Sequence, residues 1–376
     1  MKPKLEYINS QLKNIRKNNL YRKMYDSKIT GPFITINSKT LINLCSNDYL
    51  GITQPKISNK QNQSSSRLIA GNDNSFRILE EKLAKHKSQE RSLIFPTGYM
   101  ANLGVISSLI GKNDLVLSDK LNHASLIEAC KLCNAKLSIF KHNNMSDLIH
   151  KIKTKARRKF IITEGIFSMD GDFSDLNTVS EISEKNDAIT ILDDAHGDFV
   201  VGNDGKGTAN YFGVSKKIDV YISSLSKGLG SFGGYVSSRK SIIELCVNKS
   251  KSFIYTSALP RFLIDDATKR FESNREKNRK KLWKNVKKFS TGLKKIGFNV
   301  NSNSHIFPII IGKEKAAIEF GEYLFKNGIF AQPIRYPTVS RNHARIRISI
   351  TARLTDDHIT KSLSVLESAK RKFHLI

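Results

Sequence analysis

From Ser88 onward, short apolar runs alternate along the chain with longer stretches patterned as helices. Ser92–Phe95, Leu115–Leu117, Lys136–Phe140, Phe160–Thr163, Ile189–Leu192, Val220–Ser223 and Gly234–Ser237 read as strands. Strands separated by helix-length segments predict a mostly parallel sheet with helices on both faces, an α/β fold in which ligands bind beyond the carboxyl ends of the strands. Residues able to do chemistry gather at those ends: Gly98 and Tyr99, His123, Ser168, Asp193 with His196, and Lys227. So many at one edge argue for a single site.

The pattern also divides the chain. Residues 1–45 read as an N-terminal helix and extended segments at Phe33–Asn37 and Leu41–Leu44. Residues 46–273 form the large α/β domain, within which the polar stretch Asn59–Ser66 reads as an exposed loop. A long charged helix opens a smaller α+β domain over 274–376, with strands His305–Ile311, Ile329–Gln332 and Arg345–Ile350. Helices are expected there near Lys315–Asn327 and Thr355–Lys372.

Charge is the feature of composition that most needs explaining. The 376 residues carry a net charge of +28, which raises the question of a nucleic-acid partner. The basic residues are spread along the whole chain, however. In the long helix, Leu282, Val286, Phe289, Leu293 and Ile296 line one face, and Arg279, Lys280, Lys281, Lys284, Lys287 and Lys288 a solvated back. There is no zinc-finger spacing, RNA-binding aromatic motif or basic tail, so no specific nucleic-acid partner is expected. Attraction of an anionic substrate and adaptation to the host's interior both remain open. A hydrophobic fraction of 39% suits a soluble globular protein, and the most apolar run, Ile306–Ile311, is short and broken by Pro308. The first residues lack an apolar signal core, and four cysteines make no disulfide framework, so the expected compartment is the cytoplasm. Cys130 and Cys133 form one CxxC in a helix-like stretch, read as packing rather than a metal or redox site.

Two segments carry the chemistry. In Tyr221–Tyr235 an apolar strand opens into a glycine-rich loop holding Lys227 between Ser226 and Gly228, a setting suited to a Schiff-base lysine. In Ile189–His196 a buried strand ends on carboxylates and an imidazole. Asp193, Asp194, His196 and Asp198 invite a metal reading, but adjacent residues on an extended strand point to opposite sides and cannot easily share an ion. No metal is expected. Asp193 suits pairing with a protonated ring nitrogen instead. Gly228–Gly233 matches GxGxxG, yet the residues after it read as a strand, and no acid follows about twenty positions on, so the dinucleotide fingerprint is rejected.

With SNDYLG (46–51), TGY (97–99), LNHAS (121–125), TEGIFSMDGD (163–172), DDAHG (193–197), SLSKGLG (224–230), YTSALP (255–260), RYPTV (335–339) and ARIRIS (344–349) in this order, the chain resembles the α-oxoamine synthases, pyridoxal-phosphate enzymes of fold type I. The resemblance spans nearly the whole chain. It implies that Lys227 carries the cofactor as a Schiff base and later moves the α-proton, that Asp193 pairs with the pyridine nitrogen, and that His123 stacks on the ring. It implies that His196 and Ser168 contact the phenolic oxygen or ring edge. The phosphate would rest on the backbone of Gly98 and Tyr99, on the Ser224 hydroxyl, and on Thr256 of a second subunit, hence a homodimer with shared sites. Asn47 and Arg347 would hold the amino-acid carboxylate.

The implied reaction is a decarboxylating condensation of an amino acid with an acyl thioester, carried by coenzyme A or a carrier protein. DDAHG and RYPTV, with Thr338 at the substrate, resemble the biotin-forming members that join alanine to a pimeloyl thioester; glycine with an acetyl thioester is the alternative. The chain departs from the family in three places. The stretch between Pro55 and Gly71 is shortened near the acyl entrance, Phe76 replaces a histidine, and Ser224 replaces a threonine.

Overall fold

The structure, a computed structural model, describes residues 6–57, 64–300 and 302–374. Two compact units divide the chain: Asn47–Ser168 with Asp172–Lys280, and Met1–Ser46 with Met169–Gly171 and Lys281–Ile376. The elements begin with α1 (Glu6–Lys17), β1 (Ser27–Thr30), β2 (Phe33–Ile36) and β3 (Lys39–Asn43). The larger unit then runs α2 (Asn74–Lys87), β4 (Arg91–Phe95), α3 (Gly98–Leu109), β5 (Leu115–Asp119), α4 (Ala124–Leu132), β6 (Lys136–Phe140), α5 (Met145–Ile152) and β7 (Lys159–Glu164). It continues with α6 (Leu176–Lys185), β8 (Ala188–Asp193), α7 (Thr208–Tyr211), β9 (Val220–Ser224), β10 (Gly234–Ser238), α8 (Lys240–Lys249), α9 (Lys251–Ile254) and α10 (Arg261–Glu272).

Its seven strands form one sheet in the order β4-β10-β9-β8-β7-β5-β6. The pairs from β9 through β6 are parallel, while β10 runs antiparallel to both neighbours. A parallel return needs a crossover of a dozen or more residues, and only Leu225–Gly233 joins β9 to β10, so the chain must reverse there. That reversal is the loop that carries Lys227. Every expected strand of this sheet is present, Lys136–Phe140 at the expected bounds and the others extended by a residue or two.

Interior strands read as nearly unbroken apolar runs because helices cover both faces. Ile191, Val220, Ile222 and Phe160 pack in one buried cluster with Ala101, Val105, Ile106 and Leu109 of α3. Those four recur at helical spacing, so α3 lays one face on the sheet. Thr97 caps α3, its Oγ1 accepting from the Met100 amide at 3.1 Å. Cys130 and Cys133 are free and packed in the same cluster, where burial pushes their thiols up to about 12 and about 11.

The smaller unit contains most of α11 (Glu276–Lys295), then β11 (Ile306–Gly312), α12 (Glu314–Lys326), β12 (Ile329–Phe330), β13 (Pro333–Ile334), β14 (Ala344–Ser349) and α13 (Asp356–Lys372). The N-terminal strands belong with it: β12 pairs in parallel with β3 in a sheet ordered β1-β2-β3-β12, and β11-β14-β13 forms a second. Of the strand expected at Ile329–Gln332 only Ile329–Phe330 forms, and the next short strand, β13, begins beyond it and serves the other sheet. On α11, Leu282, Val286, Phe289 and Leu293 are buried as the spacing requires. Arg279 corrects the expectation of a fully solvated back; it is buried and ion-paired to Glu276 three residues earlier. Residues 59–63 of the polar stretch 59–66 lie outside the described residues. Among the described residues no helix is long and apolar enough to cross a membrane.

Beneath the sheet's carboxyl edge sits a buried ionic cluster that the patterning did not reveal. Lys87, at the end of α2, reaches Asp198 at 2.7 Å and Asp194 at 3.1 Å, with all three side chains 1% exposed or less. Asp198 also accepts from Ser223 Oγ at 2.8 Å and Tyr235 Oη at 2.5 Å, and meets His86 Nε2 at 3.1 Å. Burial alone would lift the Asp198 carboxyl, but Lys87 and His86 reverse this and hold it well below the usual carboxylate range. Removing one partner of such a pair strands the other charge. Lys87→Met is therefore expected to lower the unfolding free energy by about 3–5 kcal/mol in urea titrations, with part of the loss recovered when Asp198→Asn is added. A loss under about 1 kcal/mol, the size of a surface pair, would contradict this role.

Candidate active site

The carboxyl ends of β7, β8 and β9 stand side by side, with Glu164 in register with Asp193 and Asp193 with Ile222. Asp194 continues the ladder, its amide donating to Ile222 O at 2.8 Å. Consecutive extended residues point oppositely, and the two carboxylates have different partners accordingly. Asp194 accepts from Thr208 Oγ1 at 2.7 Å and from Lys87, so it belongs to the ionic cluster. Asp193 accepts from Asn102 Nδ2 at 2.8 Å on Oδ2 and from the Ala195 amide at 3.0 Å on Oδ1. Of the carboxylates that had suggested a metal cluster, Asp194 and Asp198 are engaged by the Lys87 ammonium.

Lys227 Nζ lies 2.8 Å from His196 Nε2. His196 Nδ1 lies 2.7 Å from Tyr49 Oη, and Tyr49 Oη donates to Asn47 Oδ1 at 3.0 Å. The donors assign the protons. Tyr49 has one hydrogen and gives it to Asn47, so it accepts from His196 Nδ1–H. That leaves the Nε2 lone pair of a neutral His196 to accept from Lys227. One chain thus joins Lys227, His196, Tyr49 and Asn47.

A second chain runs from Asp193 through Asn102, which also donates to Ser125 Oγ at 2.9 Å. Ser125 Oγ then gives its proton to His123 Nδ1 at 2.7 Å. His123 caps α4 and is exposed. Partial burial lowers the His123 pKa and Lys227 adds to this, against the opposing pull of Asp193. The imidazole is neutral at pH 7.

Gly98 opens α3, whose first-turn amides and positive end suit a phosphate. A Cβ on Gly98 would lie 3.2 Å from Ser224 Cβ, and one on Gly234 would lie 2.4 Å from the Gly98 amide nitrogen. The backbone is therefore drawn tightly around the Ser224 hydroxyl, a cradle that side chains would fill. Tyr99 is partly exposed and its hydroxyl donates to Glu128. Ser168 is buried, its amide donating to Glu164 Oε2 at 3.3 Å.

Within the larger unit, then, the structure brings together Lys227, His196, Asp193, His123 and Asn47 by hydrogen-bond chains, places Ser168 beside Glu164, and sets Gly98 against Ser224. Thr256 lines a small separate pocket with Arg67, Phe76 and Phe95, and none of these chains reaches it. In the smaller unit, Arg347 is buried on β14 with Nη1 donating to Ser349 Oγ at 2.9 Å, and Thr338 is exposed, meeting Arg22 Nη2 at 3.5 Å. Tyr49, Asn102, Ser125 and Glu164 had no role assigned from sequence. Three of them sit inside the motifs quoted above, and Asn102 lies one helical turn after Gly98 on α3.

Comparison with known proteins places this geometry in a class. The family description Aminotransferase class I and II matches residues 39–366, and the chain belongs to that family. More particularly, it is 38% identical to the 8-amino-7-oxononanoate synthase of Thermoanaerobacter pseudethanolicus, over 99% of this chain and 98% of that protein. The solved 8-amino-7-oxononanoate synthase of Francisella tularensis superposes with a TM-score of 0.76 at 28% identity, covering 89% of this chain and 99% of that one. A serine palmitoyltransferase of S. paucimobilis with bound PLP-myriocin aldimine superposes at 0.92 with 25% identity, covering 99% of both chains.

Tyr49 is fully buried, and Tyr49→Phe removes the hydroxyl that accepts from His196 Nδ1–H. The expected loss is about 1–3 kcal/mol of stability in denaturant titrations, shrinking when His196→Ala is already present. An undiminished loss in that background would contradict the proton chain.

Proposed function

We propose that the chain is a pyridoxal-phosphate-dependent acyltransferase that condenses L-alanine with a pimeloyl thioester, giving 8-amino-7-oxononanoate, carbon dioxide and free thiol in biotin synthesis. The observation that carries this is Lys227 Nζ 2.8 Å from His196 Nε2, beside Asp193 at the neighbouring strand end. The 38% identity over 99% of the chain supports the particular reaction. The residues fit the cofactor: an amine, a buried carboxylate, an exposed imidazole and a glycine-lined helix start occur together. When bound, pyridoxal phosphate supplies an aldehyde for Schiff-base formation and an electron sink for the α-carbanion.

The chain's own residues divide the remaining work. Lys227 Nζ would hold the cofactor through its aldehyde carbon and, once freed, would take the substrate's α-proton. Asp193 would keep a proton on the ring nitrogen, and Asn102 fixes that carboxylate. His123, its tautomer set by Ser125, would serve the ring face. His196 and Ser168 would serve the phenolic oxygen. Gly98, Tyr99 and Ser224 hold the phosphate, completed by Thr256 of a partner subunit in a homodimer. Asn47 and the Arg347 guanidinium take the amino-acid carboxylate, a bidentate task suited to arginine, and Thr338 contacts the acyl substrate. The proposed compartment is the cytoplasm, in keeping with four free cysteines.

A thiol-release assay pairing alanine or glycine with pimeloyl or acetyl thioesters tests the reaction. Turnover is expected to favour alanine with the pimeloyl thioester, and Lys227→Ala to lower it by about 10²–10⁴-fold, the worth of a positioned proton-transfer group. A preference for glycine with the acetyl thioester would overturn the substrate assignment.

A further inference from the structure

The work divided above leaves one buried acid without a part. Glu164 is the last residue of β7 and 3% exposed, and it stands in register with Asp193. Its carboxyl receives the backbone amides of Ser168, at 3.3 Å on Oε2, and of His123. Its second oxygen, Oε1, is buried with no hydrogen-bond partner. The two amides come from different loops, His123 from the one after β5 and Ser168 from the one after β7. Those loops carry the imidazole that faces the ring and the hydroxyl that serves the ring oxygen. We propose that Glu164 is a positioning residue, a carboxyl clamp that fixes the His123 and Ser168 loops to the strand end beside Asp193. The proposal rests on the pyridoxal-phosphate reading and adds to it a residue that touches neither cofactor nor substrate.

Chemistry decides the form of the clamp. Burial raises the Glu164 pKa most, and Asp193 on the adjoining strand raises it further. Lys227 and the amides of His123 and Ser168 pull the other way, and the outcome is about 8. Around pH 7 the clamp is therefore the neutral acid: one oxygen accepts amides while the other carries the proton. Neutrality keeps a second negative charge away from Asp193, whose own charge is reserved for the ring nitrogen. The groups facing Glu164 are Asp193 on β8, Lys227 on the loop after β9, and His123 and Ser168 on their loops; of these His123 is neutral at pH 7.

Glutamine reproduces the neutral acid in shape, with an accepting oxygen and a donor in place of the hydroxyl; alanine removes the clamp. Glu164→Gln is expected to bind pyridoxal phosphate within about threefold of the unaltered protein, and Glu164→Ala at least about tenfold more weakly, the loss that follows when buried donors lose an acceptor. The readout is cofactor affinity followed by absorbance, not turnover. Full affinity in Glu164→Ala, or a tenfold loss in Glu164→Gln, would overturn the proposal. Absence of binding by the unaltered protein would instead refute the cofactor reading itself, so the two failures are distinguishable.

A second measurement covers the case in which Glu164→Ala does not fold. The native chain holds a proton at Glu164 that the unfolded chain, with its pKa near 4.5, has released, so folding takes up a proton between about pH 4.5 and about 8. Stability from this group falls as pH rises through that window. His142 contributes its own loss between 6.5 and about 10: burial lowers its pKa, but Asp119 and Asp172 raise it by more. That loss is common to both proteins and cancels in the difference. The cofactor-free Glu164→Gln protein is expected to gain in melting temperature over the unaltered one as pH rises from 5 to 8. A constant or shrinking difference would overturn the neutral clamp.

Discussion

Everything at the carboxyl edge of the large sheet depends on two adjacent acids on one extended strand having to face different ways. Asp193 ends β8 and Asp194 extends it by one more ladder bond, and extended geometry forbids them a common partner. Asp194 turns to Lys87 and Thr208, and so locks the start of the following turn to α2 and α7. Asp193 turns to Asn102 and the site. The turn held by Asp194 and Asp198 then delivers His196 to Lys227. A buried ammonium shared by two carboxylates is costly to desolvate, but here it fixes the backbone from which Asp193 and His196 project. Support and chemistry are thus alternate residues of one short segment.

The site itself is built from neutral groups around few charges. His196 and His123 each have their tautomer set by a hydroxyl, Tyr49 in one case and Ser125 in the other. Such an arrangement leaves Lys227 free to exchange protons without a competing cation beside it. It also lets Asp193 keep its charge for one purpose. The tight approach of Gly234 to Gly98 serves a different end, drawing the start of α3 against Ser224 so that backbone amides and a hydroxyl converge.

The sheet was legible in the sequence because buried parallel strands read as apolar runs between helical stretches, and Ile189–Leu192 or Val220–Ser223 need no tertiary information to be seen. Asp193 stood out for the same reason, directly after such a run, and Lys227 in the glycine-rich loop three residues past another. The partition of the small strands was not legible. Ile329–Gln332 looks like one strand, yet only Ile329–Phe330 pairs, with β3, and the pairing to β14 begins after it at Pro333. Lys87 was invisible because a lysine at a helix end ordinarily points to solvent, and nothing local shows that two carboxylates more than a hundred residues later will enclose it. Arg279 misled in the same way. Asn102 and Glu164 act through other residues' backbones and side chains, so their roles appear only once the loops are in place.

The central claim is that Lys227, among the 62 lysines and arginines of this chain, is the one that bonds the cofactor. Borohydride reduction of the pyridoxal-phosphate-loaded protein, followed by proteolysis and mass spectrometry, tests it directly. The account predicts a single pyridoxyl adduct on Lys227, in the peptide Tyr221–Tyr235. An adduct on another lysine, or no reducible adduct at all, would contradict it.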